Sequence, residues 1–160
     1  MALSVSLDGV AIRRARPGDA ASVRSLVRQL GYEPEDRSYD ETFAQVARHP
    51  EAAMFIAQVG TRVVGYLALS HRPQVRLGGR LATIDELAVA EPDRAHGVGS
   101  ALLSAAIAHA RSLGCSRLEI SSARTRESYA RHFYTERGLE EVDTAVFRVV
   151  LGPEVKGRPR

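Results

Sequence analysis

The sequence predicts one layered α/β (α+β) domain in which helices interrupt a mixed sheet. Three observations lead to this prediction. The chain has 160 residues, which suits one domain and is enough to bury a core. Hydrophobic residues make up 44% and charged residues 26%, as in folded globular proteins, which excludes a disordered chain. Strand-like and helix-like periodicities then alternate in the order β-α-α-β-β-β-α-β-α-β-β.

The first half of the chain contains a strand, two helices and a hairpin. Asp19 is predicted to cap the first helix, which Gly31 ends. Two β-rich runs around Gly60 and Thr61 indicate a hairpin. The predicted elements are a strand over 10–14, a helix over 19–30, a helix over 39–48, hairpin strands over 53–59 and 63–69, a polar loop over 71–80 and a strand over 82–90.

The second half begins with a glycine-containing loop and a long helix. Gly114 ends that helix, and Gly138 ends the next one. The predicted elements are a helix from the loop at 94–100 to Leu113, a strand over 117–121, a helix over 126–137, strands over 141–142 and 145–151, and a loosely ordered tail over 152–160.

Composition argues against several classes of protein. The net charge is +3, but the arginines are scattered along the chain, so a nucleic-acid binder is not predicted. The longest apolar run, residues 52–57, is far shorter than a membrane span, and the first residues do not resemble a secretory signal. Cys115 is the only cysteine and cannot form an internal disulfide, which favours a reducing cytoplasm.

The loop over residues 94–100, RAHGVGS, is the strongest local feature. Gly97 and Gly99 let the backbone approach a ligand, and the loop opens directly into a helix N-terminus. Arg94 adds a permanent positive charge. These features predict an anion site suited to a pyrophosphate. The loop lacks the end of a Walker A motif, and Leu102 stands where a dinucleotide fingerprint needs its third glycine.

Two spaced motifs resemble the GNAT superfamily of N-acetyltransferases. Arg94, Gly97 and Gly99 match the family's Arg/Gln-x-x-Gly-x-Gly/Ala signature. Further along, ARHFYTERGL is similar to the family's Ala…Tyr…Gly-Phe pattern, with Tyr134 and Gly138 in place and a leucine in place of the phenylalanine. The resemblance covers roughly residues 10–151.

The resemblance implies a fold and a co-substrate. It implies a single domain over 1–151, with about seven mostly antiparallel strands, about four helices and a V-shaped splay between the fourth and fifth strands. Acetyl-coenzyme A would lie in that splay, and no metal is implied. The implied cofactor-binding residues are Leu87, Ala88, Val89, Arg94, Ala95, His96, Gly97, Val98, Gly99, Ser100 and Tyr134.

The resemblance also implies direct acetyl transfer to a primary amine of a small molecule or peptide. Tyr134 stands at the family's general-acid position, and phenols, with an ordinary pKa of about 10, suit that role. The base stays open between Asp85, Glu86, Glu119 and a water chain; strict alternation places Asp85 and Glu86 on opposite faces of their strand. The alternative is a non-catalytic acyl-coenzyme A-binding module. Cys115 is not predicted to be a nucleophile.

The acceptor amine stays open at this point. An acidic cluster would attract a cationic amine, whereas the basic segment over 71–76 favours an acidic acceptor. The resemblance further suggests a homodimer, with residues 145–151 as a candidate edge. The acidic cluster comprises Glu33, Glu35, Asp36, Asp40 and Glu41.

Overall fold

The computed structural model describes residues 9–152 of the chain. The described chain comprises two compact units, residues 9–120 and residues 121–152. None of the helices within residues 9–152 combines the length and the apolar character that a membrane span requires. Most of the predicted tail, residues 153–160, lies outside the described residues.

The first unit is built on a five-stranded mixed sheet. Its strands are β1 (Val10–Arg14), β2 (Ala52–Val59), β3 (Arg62–Gln74), β4 (Gly79–Val89) and β5 (Cys115–Ile120). They lie in sequence order, and every neighbouring pair is antiparallel except β4–β5, which is parallel. The parallel pair needs a crossover, which a helix between β4 and β5 supplies.

Three helices cover the two faces of this sheet: α1 (Ala20–Gln29), α2 (Asp36–Arg48) and α3 (Val98–Ser112). Tyr66 of β3 belongs to a buried cluster with residues of α1 and α2. The adjacent Gly65 lies against Val98 and Leu102 of α3. Because successive strand residues face opposite sides, α1 and α2 cover one face and α3 covers the other.

Asp19 fastens β1 to the start of α1. It is the N-cap residue of α1, as predicted, but its carboxylate makes no capping bond there. Instead it accepts two hydrogen bonds of 2.7 Å from the Arg13 guanidinium and one of 2.7 Å from the backbone N–H of Arg16. The Arg13 hydrogen bonds lower the pKa of the buried Asp19 carboxyl.

The predicted polar loop over 71–80 is wrong, because β3 and β4 continue through it as a hairpin. β3 runs to Gln74, and a 3₁₀ turn with the left-handed Gly78 leads into β4. His71 is buried, with its Nδ1 2.8 Å from the Arg80 guanidinium, which also pairs with Glu51 at 3.2 Å. These polar side chains resemble loop residues in the sequence, but cross-strand partners hold them in the ladder.

The second unit has less regular structure than predicted. A short helix α4 (Glu127–Ala130) and a 3₁₀ turn over Thr135–Arg137 replace the single helix over 126–137, and His132 between them has a left-handed φ of 52°. A β-ladder stabilises a strand only where a partner strand supplies the hydrogen bonds. Residues 139–151 form neither helix nor strand, so the strands predicted over 141–142 and 145–151 are not confirmed. Phe147, within the second of these segments, is 93% exposed.

The counts of about seven strands and about four helices are therefore corrected for the described residues. These residues form five strands, three helices of ten residues or more and the single-turn α4. What is confirmed is one mixed α/β sheet flanked by helices.

Candidate active site

The glycine loop forms the junction between β4 and α3, as the sequence predicted. A 3₁₀ turn over Glu91–Asp93 follows β4, and α3 begins at Val98. Gly97 is the N-cap of α3 with φ 83°, and Ala95 also has a left-handed φ, of 63°. Because glycine offers no side chain to cap the first turn, the N–H groups and the positive dipole end of α3 suit an anion. The backbone here therefore fits a pyrophosphate.

Three contacts fix this loop to the rest of the first unit. Arg62 at the start of β3 makes a two-pronged ion pair with Asp93, at 2.7 and 2.8 Å, which lowers the pKa of Asp93. Arg94 Nε donates to the Val89 carbonyl at 3.1 Å. The Gln29 side chain at the end of α1 accepts a hydrogen bond from the Glu91 N–H at 3.0 Å. The loop is thus held from β3, β4 and α1.

One edge of β4 is open beside this loop. The parallel ladder with β5 ends at Ile84 and Ile120, whereas β4 runs on to Val89. Leu87 and Val89 pair only with β3, and no strand within residues 9–152 pairs with their other side. An extended ligand arm with amide groups can hydrogen-bond such an edge as an added strand would.

A β-bulge at Asp85 changes where the two candidate carboxylates point. In the β3–β4 ladder Ala68 pairs with Glu86 but Leu69 pairs with Ile84, so Asp85 is the extra residue. Asp85 accepts from Ser70 Oγ at 3.2 Å, and Glu86 accepts from the Tyr66 hydroxyl at 2.7 Å. Ser70 and Tyr66 are four residues apart on one strand and therefore share a face.

The prediction that Asp85 and Glu86 lie on opposite faces is therefore wrong. The bulge breaks the strict alternation on which that prediction rested. Both carboxylates are exposed on the sheet face that α1 and α2 cover.

The surroundings of the two carboxylates differ. Partial burial raises the pKa of Asp85, opposed by the Ser70 hydrogen bond and the nearby charge of Arg72. Tyr66, the donor to Glu86, is fully buried; burial, followed by the charge of Glu86, raises the pKa of Tyr66. The Tyr39 hydroxyl on α2 is also buried, and it has no hydrogen-bond partner among residues 9–152.

Other candidates for the chemistry lie elsewhere. The Glu119 carboxylate on β5 lies 3.4 Å from Arg117 and 3.6 Å from Arg76, so two guanidinium groups share it. Cys115 is the first residue of β5, and His96 is exposed in the glycine loop. Over the described range, no group of three or more histidine, cysteine or acidic side chains could hold a metal ion.

Tyr134 lies in the second unit, immediately before the 3₁₀ turn over Thr135–Arg137. Its ring meets that of Phe133 edge to face, with centroids 5.0 Å apart. Its backbone carbonyl accepts hydrogen bonds from the N–H groups of Arg137 and Leu139. Its assignment as the general acid stays a prediction.

The acidic cluster between α1 and α2 is largely neutralised by arginines. Arg24 pairs with both Asp36 and Asp40, at 2.9 and 2.5 Å. Arg28 pairs with Glu33 at 3.4 Å, and Arg37 with Glu41 at 3.5 Å. The cluster therefore offers a cationic acceptor less attraction than its sequence indicates.

The sequence analysis did not identify Tyr66 and Tyr39 as site residues, and it did not predict the ion pair between Arg62 and Asp93. Tyr66 interrupts the apolar run VVGYLAL, and a buried tyrosine in such a run needs a polar partner for its hydroxyl. That signal was available in the sequence, although it does not identify Glu86 as the partner. The partner follows only from the register of β3 on β4.

The family model described as "Acetyltransferase (GNAT) family" matches residues 20–139. Among solved structures, the chain is similar to a transcriptional regulator from Bacillus halodurans C-125, at 24% identity and a TM-score of 0.79, with 88% of this chain and 99% of that chain covered. It is similar to a ribosomal-protein-alanine N-acetyltransferase from Brucella melitensis biovar Abortus 2308, at 21% identity and a TM-score of 0.70, with coverage of 89% and 99%.

A third similar structure is glucosamine-6-phosphate N-acetyltransferase from Arabidopsis thaliana, at 16% identity and a TM-score of 0.76, with 88% of this chain and 97% of that chain covered. At these identities the structural likeness shows the fold alone. No protein with a curated description matches the sequence significantly.

Proposed function

The chain belongs to the GNAT acetyltransferase family, and we propose that it is an N-acetyltransferase that moves the acetyl group of acetyl-coenzyme A directly to a primary amine of a small molecule or peptide. The observation that carries this proposal is the continuity of three features along one segment. The open edge of β4 leads into the Gly97 turn and the N-terminus of α3, and the same strand carries Asp85 and Glu86.

Acetyl-coenzyme A supplies an acetyl thioester, whose C–S bond breaks as the new C–N bond forms. In our proposal the backbone of Leu87, Ala88 and Val89 holds the extended arm of this co-substrate. The loop residues Arg94, Ala95, His96, Gly97, Val98, Gly99 and Ser100 hold the pyrophosphate. The fixed, glycine-containing geometry of that loop supports this part of the proposal.

Side chains of the protein then carry out the two proton transfers that the reaction needs. An acceptor amine is protonated in neutral solution and must lose a proton before it can attack. Glu86 or Asp85 accepts that proton on the sheet face that the two carboxylates share. Glu119 is less suited, because two arginines already share its charge. Tyr134 gives a proton to the departing sulfur, and solvent restores it.

The acceptor itself is proposed only as an amine. The pairing of the acidic cluster with arginines removes one argument for a strongly cationic acceptor. We further propose that the domain spans 1–151, that the protein acts in the cytoplasm, and that it forms a homodimer through residues 145–151. Light scattering after size exclusion tests the last point: a monomer would contradict it.

The test of the proposed function is thiol release from acetyl-coenzyme A in the presence of a panel of amines. The panel includes an aminoglycoside, a polyamine, an amino-sugar phosphate and a peptide N-terminus. We expect amine-dependent thiol release with at least one of them. Binding of acetyl-coenzyme A without release above background hydrolysis would instead favour the non-catalytic acyl-coenzyme A-binding module.

Tyr134→Phe tests the assignment of the acid. Loss of a general acid lowers rates by about 10²-fold or more, so we expect a fall of that size in kcat. Because the phenylalanine keeps the ring, the KM for acetyl-coenzyme A should change little. Full activity of the variant would remove Tyr134 from the mechanism while leaving the proposed reaction in place.

A further inference from the structure

We propose that Tyr66 is a positioning residue of the acceptor site, which acts by holding the Glu86 carboxylate on the sheet face that α1 and α2 cover. This inference rests on the proposed N-acetyl transfer. It assigns a role to a residue on β3 that lies outside both sequence motifs, and it selects Glu86 over Asp85 as the group that receives the proton of the amine.

The contact between the two side chains follows from the ladder. Tyr66 pairs with Ala88, and Ala68 pairs with Glu86, so Tyr66 and Glu86 are diagonal neighbours on one face. Diagonal neighbours are within reach of long side chains. The two alanines leave room for both side chains to extend along the sheet, and the Tyr66 hydroxyl donates to Glu86 Oε2 at 2.7 Å.

The donor in this contact has a fixed direction. Tyr66 is fully buried in a cluster that also contains Val23, Leu26, Phe43 and Ile56. A close-packed cluster holds an aromatic ring in place, so the position of the hydroxyl at its end is also set. Burial, followed by the charge of Glu86, raises the pKa of Tyr66, which keeps the phenol protonated and able to donate at neutral pH.

A fixed donor matters because Glu86 is itself exposed. An exposed glutamate samples many rotamers, and ordering it has an entropic cost. A short hydrogen bond to a charged acceptor is among the stronger ones and selects one orientation. The Tyr66 hydroxyl donates to Oε2 of Glu86, which leaves Oε1 of the same carboxylate to contact the ammonium group of the acceptor.

Two neighbouring residues support the choice of Glu86. Burial, followed by the charge of Glu86, raises the pKa of Tyr39 on α2, whose buried hydroxyl has no hydrogen-bond partner within residues 9–152. Asp85 accepts a longer hydrogen bond, of 3.2 Å, from the Ser70 hydroxyl, which is not fully buried. In the proposed step the ammonium gives one proton to the Glu86 carboxylate, and Tyr66 keeps its own.

A double-mutant cycle tests this inference. The variants are Tyr66→Phe, Glu86→Gln and the two combined, with thiol release followed at saturating acetyl-coenzyme A. We expect Tyr66→Phe alone to lower kcat about tenfold, with the KM for acetyl-coenzyme A unchanged within about twofold. In the Glu86→Gln background the same change should have no further effect, because the group that Tyr66 positions is already gone.

Tyr129→Phe is the matched control, since Tyr129 donates a similar hydrogen bond to Glu141, at 3.0 Å, in the second unit. We expect its kcat to stay within about twofold of wild type. Equal losses from Tyr66→Phe in both backgrounds, or no loss in either, would overturn the positioning role alone. A wild-type chain that acetylates no amine would instead contradict the proposed function, and the inference with it.

Discussion

Asp85 and Glu86 are neighbours in the chain, yet different side chains hold their carboxylates. We predict that Glu86→Gln lowers kcat for acetyl transfer by about 10²-fold, the usual effect of losing a general base. Asp85→Asn should lower kcat by no more than about threefold. Steady-state kinetics with one acceptor amine compares the two directly, and the reverse ranking would assign the base to Asp85.

Among single residues, Asp19 gives the clearest prediction about the free energy of unfolding. Asp19→Asn leaves the Arg13 guanidinium without its anionic partner, so we expect the free energy of unfolding at pH 7 to fall by about 2–3 kcal/mol. Urea denaturation measures this change. Asp143→Asn, which changes an exposed carboxylate, is the control and should leave stability unchanged.

The pH dependence of this effect has a defined sign. Arg13 lowers the pKa of Asp19 in the folded chain. Such a carboxylate stabilises the fold fully above its unfolded pKa of about 3.9, and the stabilisation is lost as the pH falls through the folded pKa. The difference between wild type and Asp19→Asn should therefore shrink in acid. A difference that grows below pH 4 would contradict the assignment.

At the scale of elements, the contact of β3 with the first turn of α3 depends on Gly65. A Cβ added there would lie 3.0 Å from the Ala88 carbonyl oxygen, 3.1 Å from Leu102 Cδ1 and 3.2 Å from Val98 Cγ1. The carbonyl belongs to the sheet and cannot swing away, so the added methyl group presses on α3 through the side chains of Val98 and Leu102. Because α3 begins the proposed pyrophosphate site, Gly65→Ala should weaken acetyl-coenzyme A binding about tenfold and lower Tm.

Calorimetric titration measures the expected change in Kd, with Gly18→Ala as the control. A Cβ at Gly18 meets no atom within 4 Å, and this glycine does not have a left-handed φ. Unchanged affinity in Gly65→Ala would mean that the position of the first turn of α3 does not decide binding.

The elements that the sequence predicted correctly are those whose start, end or buried face is marked by residues within the segment itself. The β2–β3 hairpin has its Gly60 turn, and α3 has glycines at both ends with an apolar stripe between them. The bulge at Asp85 and the extension of β3 to Gln74 depend on the partner strand, which a single segment does not reveal. The unformed strand over 145–151 fails for the same reason, since β-propensity does not provide a partner.

For the molecule as a whole, a histidine between α3 and the sheet predicts that the folded chain becomes less stable in acid. His109 of α3 meets the Phe55 ring edge to face, with centroids 5.5 Å apart. Burial, followed by the positive charges of Arg14 and His71, lowers the pKa of His109. The folded chain therefore resists protonation of this ring, and stability falls as the pH drops below the unfolded histidine pKa of about 6.5.

Melting curves between pH 7 and pH 5 check this prediction. We expect Tm to fall over that range in the wild type and to fall less in His109→Gln, which cannot take up the proton. His96→Gln, which changes an exposed histidine, should follow the wild type. An equal fall in all three proteins would locate the acid sensitivity elsewhere.

We propose that the whole chain is an acetyl-coenzyme A-dependent enzyme, with the glycine loop at 94–100 as its pyrophosphate site. The most direct test is the melting temperature with acetyl-coenzyme A, compared with ATP and with NAD. At about a hundredfold over its dissociation constant a ligand stabilises by about 2.7 kcal/mol, which shifts Tm by several degrees. We predict that shift with acetyl-coenzyme A alone; no shift, or an equal shift with ATP, would contradict the proposed pyrophosphate site.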